Sequence, residues 1–446
     1  MRILRKVREM KLESLKRKNK YFYMSIICGV ILLIVFGFNV SRAKYKSTQS
    51  VLLARGTINY TVPDLNLVSM YIEDNGEYIA SDVVPTSNYK LNSDKSYCAI
   101  NGNKDNSITI LYSNSQVTIG NLTQKGTKCY LYFDNYQCNG TVCDAIMANI
   151  NTIKTRNDFS NILTDTTTGV IYKSLDSTQY DDSGLTYYYA GNPTDNWVKF
   201  AGFYWRIIRI NGDGTLRLIY NGTTTDTTGE GTQIGTSSFN TNYNDNMYVG
   251  FQYTSGEAHG RNIDSNIKNI LGVWFNNNIG KHNNYYKYTT SGDAGTTFCN
   301  DRQSSLNKES LDNTGGVGNI ETYYAAYIRL VTNKTPSFKC GNINDRFNVS
   351  VGLITADEMA YAGGIVGISN TDFYLYTSQY YWTLSPSAVS SLGFAGIFRL
   401  NNNGDLGGDD NGGVSSSNGV RPVIILKSDT PFSGGTGTSL DPYIVS

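Results

Sequence analysis

Histidine is almost absent from this 446-residue chain: His259 and His282 are the only two. Proline is scarce, at eight residues, and charged residues make up only 17 %. Each shortage excludes something. Two histidines and no CxxC pair leave a zinc site without its usual ligands. His259 lies in GEAHGR and His282 in KHNNYY, with no nucleophile motif beside either. GxSxG is absent as well, so no Ser–His hydrolase set is legible. The net charge is +1, and the first 20 residues hold nine Lys/Arg, which leaves the remaining body mildly acidic. Such a body argues against nucleic acid as the main partner. What is abundant is Tyr, Asn, Gly, Ser and Thr, a mixture suited to turn-rich β structure.

Residues 21–40 read YFYMSIICGVILLIVFGFNV, without a charge. A run of about 20 apolar residues is long enough to cross a bilayer as a helix. Tyr21 and Tyr23 fit an aromatic belt, and the basic flank MRILRKVREMKLESLKRKNK obeys the positive-inside rule. The sequence therefore predicts a single-pass protein at the plasma membrane, N-terminus cytoplasmic and bulk extracellular. A cleaved signal peptide is the alternative, but Arg42 in VSRAKY spoils a small-x-small cleavage site.

Cys28 lies inside that run, and six cysteines follow it. An even count outside the membrane suits an oxidising compartment. Local context favours one pairing. Cys98 and Cys129 sit in neighbouring strand-like runs (YCAI and KCYLYF), Cys138 and Cys143 bracket the short loop CNGTVC, and Cys299 and Cys340 remain.

The expected organisation has a basic cytoplasmic segment (1–20), a transmembrane helix (21–40), a stalk (41–50), a small immunoglobulin-like β-sandwich (51–135), a helical connector (136–189) and an α+β domain (190–446). The sandwich rests on short β-branched and aromatic runs such as LNLVSMYIE and SITILYS. The connector rests on apolar spacing over 143–163, which reads as one or two helices. In the last domain, Asn211-Gly212-Asp213-Gly214 between RIIRI and LRLIY is the strongest hairpin signal. DSNIKNILGVWF reads as a helix capped by Asp264 or Ser265. Thr355 and Glu358 form a capping box before Gly363-Gly364. The stretch 221–260 is polar and reads as surface loop.

The ordered set WRIIRINGDG, FCNDR, LITADEMAYAGG, YYWTLSPS, GVRPVI and GTGTSLDPYIV resembles a family of N-terminally anchored surface proteins of Firmicutes and relatives, for which no biochemical activity is established. At fold level WTLSP and GVRPVI resemble C-type-lectin-like domains, which share their fold with formylglycine-generating enzymes. The resemblance implies a C-type-lectin-like head, with Trp382 in its core. The enzyme group uses an active-site cysteine pair with copper. Cys299 and Cys340 lack the matching context, which favours a structural bridge.

Ligand-binding candidates cluster late in the chain. The loop NNNGDLGGDDNGG offers Asn401, Asn403, Asp405, Asp409, Asp410 and Asn411. Asp405, Asp409 and Asp410 are oxygen donors suited to Ca²⁺, the one cofactor the sequence suggests, though the spacing matches no EF-hand. Asn-Gly and Asp-Gly pairs are also ordinary turn formers. Tyr380 could stack on a sugar ring. Arg421 reads as a buried arginine paired with a carboxylate. Asp357 and Glu358, adjacent on a helix, point about 100° apart and suit capping rather than paired acid catalysis. These features favour a non-catalytic cell-surface protein for recognition or adhesion, binding an extracellular glycan or protein. The alternatives are an extracellular enzyme on a sulfatase-modifying-type fold and a purely structural envelope component. A deep pocket of converging acids would favour the enzyme.

Overall fold

The computed structural model describes residues 66–445, apart from 75–76, 86–87, 114–115, 123, 292–297 and 408–412. The expected segments 1–20, 21–40 and 41–50 lie outside the described residues. The described chain divides into two compact units.

The smaller unit comprises residues 66–85 and Lys95–Phe133. Its sheet runs in the order Glu77–Ser81, Leu67–Asp74, Lys128–Asn135, Tyr97–Ile100, Asn103–Lys104. From Lys128 to Phe133 the strand alternates, with Cys129, Leu131 and Phe133 buried and Tyr130 and Tyr132 only partly so, until buried Asp134 breaks the pattern. Cys98 faces Cys129 across an antiparallel pair, and the two are bridged. On its other side the same strand runs parallel to Leu67–Asp74. Thr109–Ser113 and Gln116–Gly120 form a separate hairpin.

The larger unit, residues 88–94 and 134–445, holds two main sheets. The nine-stranded sheet centres on the hairpin predicted at Asn211–Gly214. Phe203–Ile210 pairs antiparallel with Leu216–Tyr220, which pairs with Val423–Leu426. Leu216–Tyr220 is buried along its whole length, as a strand covered on both faces must be. Trp197–Phe200 pairs antiparallel with the start of Phe203–Ile210 and runs parallel to Tyr443–Ile444 near the C-terminus. The seven-stranded sheet centres on Tyr381–Val389, hairpinned to Ala395–Leu400. Trp205 and Trp382 are fully buried, one in each sheet, and each indole N–H finds a carbonyl, of Phe200 at 3.0 Å and Ser237 at 2.8 Å. The helix Asn266–Phe275 is capped by Ser265, whose Oγ accepts the Lys268 N–H, and buries Ile267, Leu271 and Phe275. Where the spacing predicts one or two helices over 143–163, one forms, Thr141–Met147, followed by the strand Thr152–Thr155. The β-branched Thr152 and Ile153 pair there with Val170–Lys173, so sheet partners override the helical spacing. The polar stretch 221–260 is not all surface. It contributes fully buried Phe239, Val249 and Phe251, and buried Asn246 donates to the carbonyls of Gly318 and Ile320.

The fold class expected from the sequence is corrected by these findings. Among the described residues there are five α-helices, of three to ten residues. None is long and apolar enough to cross a membrane, which takes about 20 residues. The parallel pairing of Leu67–Asp74 departs from an immunoglobulin-like sandwich, whose sheets are antiparallel. Side-chain alternation marks which face of a strand is buried but carries no information on strand direction. What folds is a β-rich chain with short helices. Among the described residues there is no anchoring helix, and an immunoglobulin-like module and a C-type-lectin-like head do not describe them.

All three bridges expected from local context are formed: Cys98–Cys129, Cys138–Cys143 and Cys299–Cys340.

Candidate functional site

The larger unit contains a small polar cavity of about 20 Å³ whose floor is built from charged groups. It begins with a strand irregularity. The register of Phe203–Ile210 against Leu216–Tyr220 shifts between Ile207 and Arg209, leaving Ile208 as the extra residue. The shift brings Arg209 directly opposite Arg217. Like charges facing each other across a sheet repel. Glu358 resolves the conflict: Arg209 Nε donates to its Oε1 at 2.8 Å, and Arg217 Nε forms an ion pair with the same oxygen at 2.6 Å. Arg209 also reaches Asp181 at 3.2 Å.

Glu358 is delivered by the capping box. Thr355 Oγ1 accepts the Glu358 N–H, and Glu358 Oε2 accepts the Thr355 N–H at 2.9 Å. One carboxylate thus closes the helix N-terminus and neutralises two buried arginines. Its neighbour Asp357 takes Arg329 through both oxygens, at 2.8 Å each, and accepts the Ser337 N–H. Arg329, from a π-helical turn at Ile328–Asn333, also donates to Asp301 at 2.6 Å. Beyond the capping role expected of them at the helix start, Asp357 and Glu358 each serve an ion pair. Asp182, which ion-pairs with Arg346 at 3.0 Å, and the Cys299–Cys340 bridge complete the wall, and exposed Lys339 stands at the mouth.

Electrostatics follow from burial and pairing. Burial pushes the Glu358 carboxyl up, but Arg217 and Arg209 outweigh it and hold it below the usual range. Burial pulls the Arg217 guanidinium down to about 10 against Glu358, so it stays charged at neutral pH. Burial also pushes the Asp301 carboxyl up, against the pull of Arg329. Three fully buried atoms of these lining residues have no hydrogen-bond partner: Arg217 Nε, which makes only the ion pair with Glu358, Arg217 Nη1 and Asp301 Oδ1.

The late-loop candidates lie elsewhere in the unit. Tyr380 is 39 % exposed, and the Arg399 guanidinium sits 4.9 Å from its ring centre. Arg399 Nε donates to Asn401 Oδ1, and Asn401 Nδ2 donates to Asp405 Oδ2. Asp405 Oδ1 accepts the Gly367 N–H at 2.7 Å. Asn403 accepts the Asp405 N–H and donates to Ser369. Gly404 has φ 81°, and a Cβ there would fall 1.8 Å from the Asn370 carbonyl oxygen, so only glycine fits this turn. Tyr380, Arg399, Asn401 and Asp405 therefore form one connected chain of contacts, in which both Asp405 oxygens already accept hydrogen bonds. Asp409, Asp410 and Asn411 lie outside the described residues. Among the described residues no group of three His, Cys, Asp or Glu side chains could hold a metal ion.

His259 is not the solvated loop residue its context suggests. Its Nδ1 lies 3.0 Å from Asp345 Oδ2, and Asp345, fully buried, accepts from the Arg302 side chain and backbone. Arg421 is buried as expected, but its partners are the carbonyls of Tyr220 and Leu375 and the Asn221 side chain, not a carboxylate.

Sequence reasoning missed the cavity because its lining comes from segments scattered between Asp182 and Ser385. The one available signal was the pattern of arginines in RIIR and LRLIY, two buried strands carrying charges that need a partner. No family model, curated protein or solved structure matches the chain.

Proposed function

We propose that this protein works outside the cell as a non-catalytic recognition or adhesion protein, binding an extracellular glycan or protein through its larger unit. The observation that carries the reading is the state of the acids in the cavity. Glu358 and Asp357 are each locked to arginines that remain charged at neutral pH. Glu358, held below the usual carboxylate range, is a poor general base, and the oxygens of both acids are taken up by their arginines. The exposed Tyr380 beside Arg399 and Asn401 supplies an aromatic and amide face of the kind that sugars contact.

The extracellular setting is supported by three closed disulfides and by the basic flank before the apolar run 21–40, through which contact with the lipid bilayer is proposed. Protease added to intact cells should remove the region beyond residue 40, and full protection would count against this placement. Calcium remains a proposed ligand of the loop Asn401–Gly413, tested by calorimetric titration of the protein and of Asp409→Ala.

One observation favours the enzyme alternative: Asp301, a buried cavity acid whose carboxyl is pushed up, could hold a proton for general acid chemistry. A hydrolase screen in which activity disappears with Asp301→Asn would move the assignment there. Binding in array experiments with the glycan left chemically intact supports recognition.

A further inference from the structure

The sheet of the smaller unit has two unlike faces. One buries Met70, Cys98, Cys129, Leu131 and Phe133. The other carries tyrosines, because side chains alternate along each strand. The register sets Tyr71 beside Tyr132 and Tyr130 beside Tyr97, across three neighbouring strands. Tyr71 and Tyr132 stack with ring centres 4.8 Å apart, and those of Tyr97 and Tyr130 are 5.1 Å apart. All four are half-buried. Burial and the phenols of Tyr71, Tyr97 and Tyr130 push the Tyr132 phenol up, so the four hydroxyls share one area. The next row on this face is charged. Exposed Lys128 and Lys104 stand on either side of Ala99. Two strand spacings separate them, roughly 10 Å. The Lys104 ammonium sits 5.7 Å from the Tyr97 ring centre. Glu73, the acid that follows Tyr71 on this face, lies at the opposite end of its strand from Leu67, the partner of Lys128.

We infer that this face of the smaller unit is a second binding surface, for a glycan strand bearing carboxylate or phosphate groups, whose ring faces lie on the tyrosines while its anionic groups reach Lys104 and Lys128. The match is chemical. A sugar ring has an apolar C–H face and hydroxyls at its rim, and a phenol has an apolar face and a hydroxyl at its edge. Tyrosine also supplies rigid contact area at low entropic cost. Cross-strand tyrosine pairs would stabilise the sheet by themselves, but that role does not call for two exposed lysines in one row beside them. Charge complementarity selects an anionic glycan over a neutral one. A single-stranded nucleic acid also stacks on aromatic rings, but it carries a phosphate at every residue and needs a longer cationic track than two lysines. The recognition reading puts binding in the larger unit, and this surface extends it to the smaller one.

The test is calorimetric titration of the full chain, disulfides intact, with hexagalacturonate and a phosphorylated oligomannoside. Neutral cellohexaose, polyglutamate and oligo-dT serve as controls. The variants are Tyr130→Thr, Tyr132→Thr and the double change Lys104→Ser, Lys128→Ser, whose exposed side chains can be replaced without disturbing the fold. The expected result is binding of at least one of the two anionic glycans, weakened roughly tenfold or more in the lysine variant and in each folded tyrosine variant. Which of the two binds tells carboxylate from phosphate. Salt should weaken binding to the native chain and hardly affect what is left in the lysine variant. Binding unchanged in the lysine variant, or polyglutamate or oligo-dT held as tightly as the glycan, overturns the inference. So does a native chain that binds neither anionic glycan. In each of these cases recognition through the larger unit still stands, and only a native chain that binds no glycan or protein on an array removes that reading too.

Discussion

Replacing Glu358 by glutamine should be among the most damaging single changes in the larger unit. The side chain keeps its shape, so packing is preserved and the effect is electrostatic. In the native protein one Oε1 serves Arg209 at 2.8 Å and Arg217 at 2.6 Å, and Oε2 closes the helix N-terminus through Thr355. The variant leaves two guanidiniums, 5 % and 1 % exposed, facing each other across the sheet, with Asp181 as the remaining ion-pair partner of Arg209. Breaking a buried pair costs about 3–5 kcal/mol, with opposed like charges adding to it. The assay is chemical unfolding of the full chain, disulfides intact, by tryptophan fluorescence. Thr355→Ala isolates the cap, worth about 1 kcal/mol. The triple change Arg209→Met, Arg217→Met, Glu358→Leu removes the whole cluster and should recover most of the loss, since apolar replacement of a buried ion pair is often neutral. A loss below about 1 kcal/mol for Glu358→Gln would refute the reasoning, because uncompensated buried charge cannot be that cheap.

Glu358 and a second buried acid outside its cluster, Asp345 beside Arg302, set a pH dependence. Glu358 and Asp345 have folded values held below the ordinary range, so their contribution is complete above roughly pH 4–5 and is lost as pH falls through the lower folded values. Acid titration of stability should show this limb, flattened in Glu358→Gln. Removing Cys299–Cys340, with 41 residues of separation, should cost roughly 4 kcal/mol, against roughly 2 kcal/mol for Cys138–Cys143, with a separation of 5, on chain-entropy grounds; paired Cys→Ala variants measure both. Asp405→Ala should destabilise by about 1 kcal/mol with no calcium present, because its two oxygens accept hydrogen bonds from Gly367 and Asn401; a change seen only when calcium is added would contradict that. Tyr380→Ala should leave stability nearly unchanged while weakening ligand binding, as its ring is 39 % exposed.

Local signals in the sequence translated well into local structure. Asn211–Gly214 turns the predicted hairpin, Ser265 caps its helix, and Thr355 with Glu358 closes the capping box because three-residue spacing brings a side chain back to the helix end. The cysteine pairs were legible for the same reason, each set by neighbouring runs or by elimination. What escaped was long-range. The parallel pairing of Leu67–Asp74 depends on a strand about 60 residues away, which alternation does not encode. The cavity needs a register shift at Ile208 to bring Arg209 opposite Arg217, and a bulge leaves no mark in an apolar run. His259 looked solvated because its partner, Asp345, lies 86 residues further on. Arg421 was recognised as buried, but the sequence could not say that backbone carbonyls would take the place of a carboxylate.

The most direct measurement is a ligand screen of the full chain, oxidised, with and without calcium, on glycan and protein arrays, followed by mass spectrometry of whatever is bound. The account predicts saturable binding to a defined ligand that leaves the surface with its mass unchanged. Conversion of the ligand to a product, or no saturable binding to any of them, would contradict it.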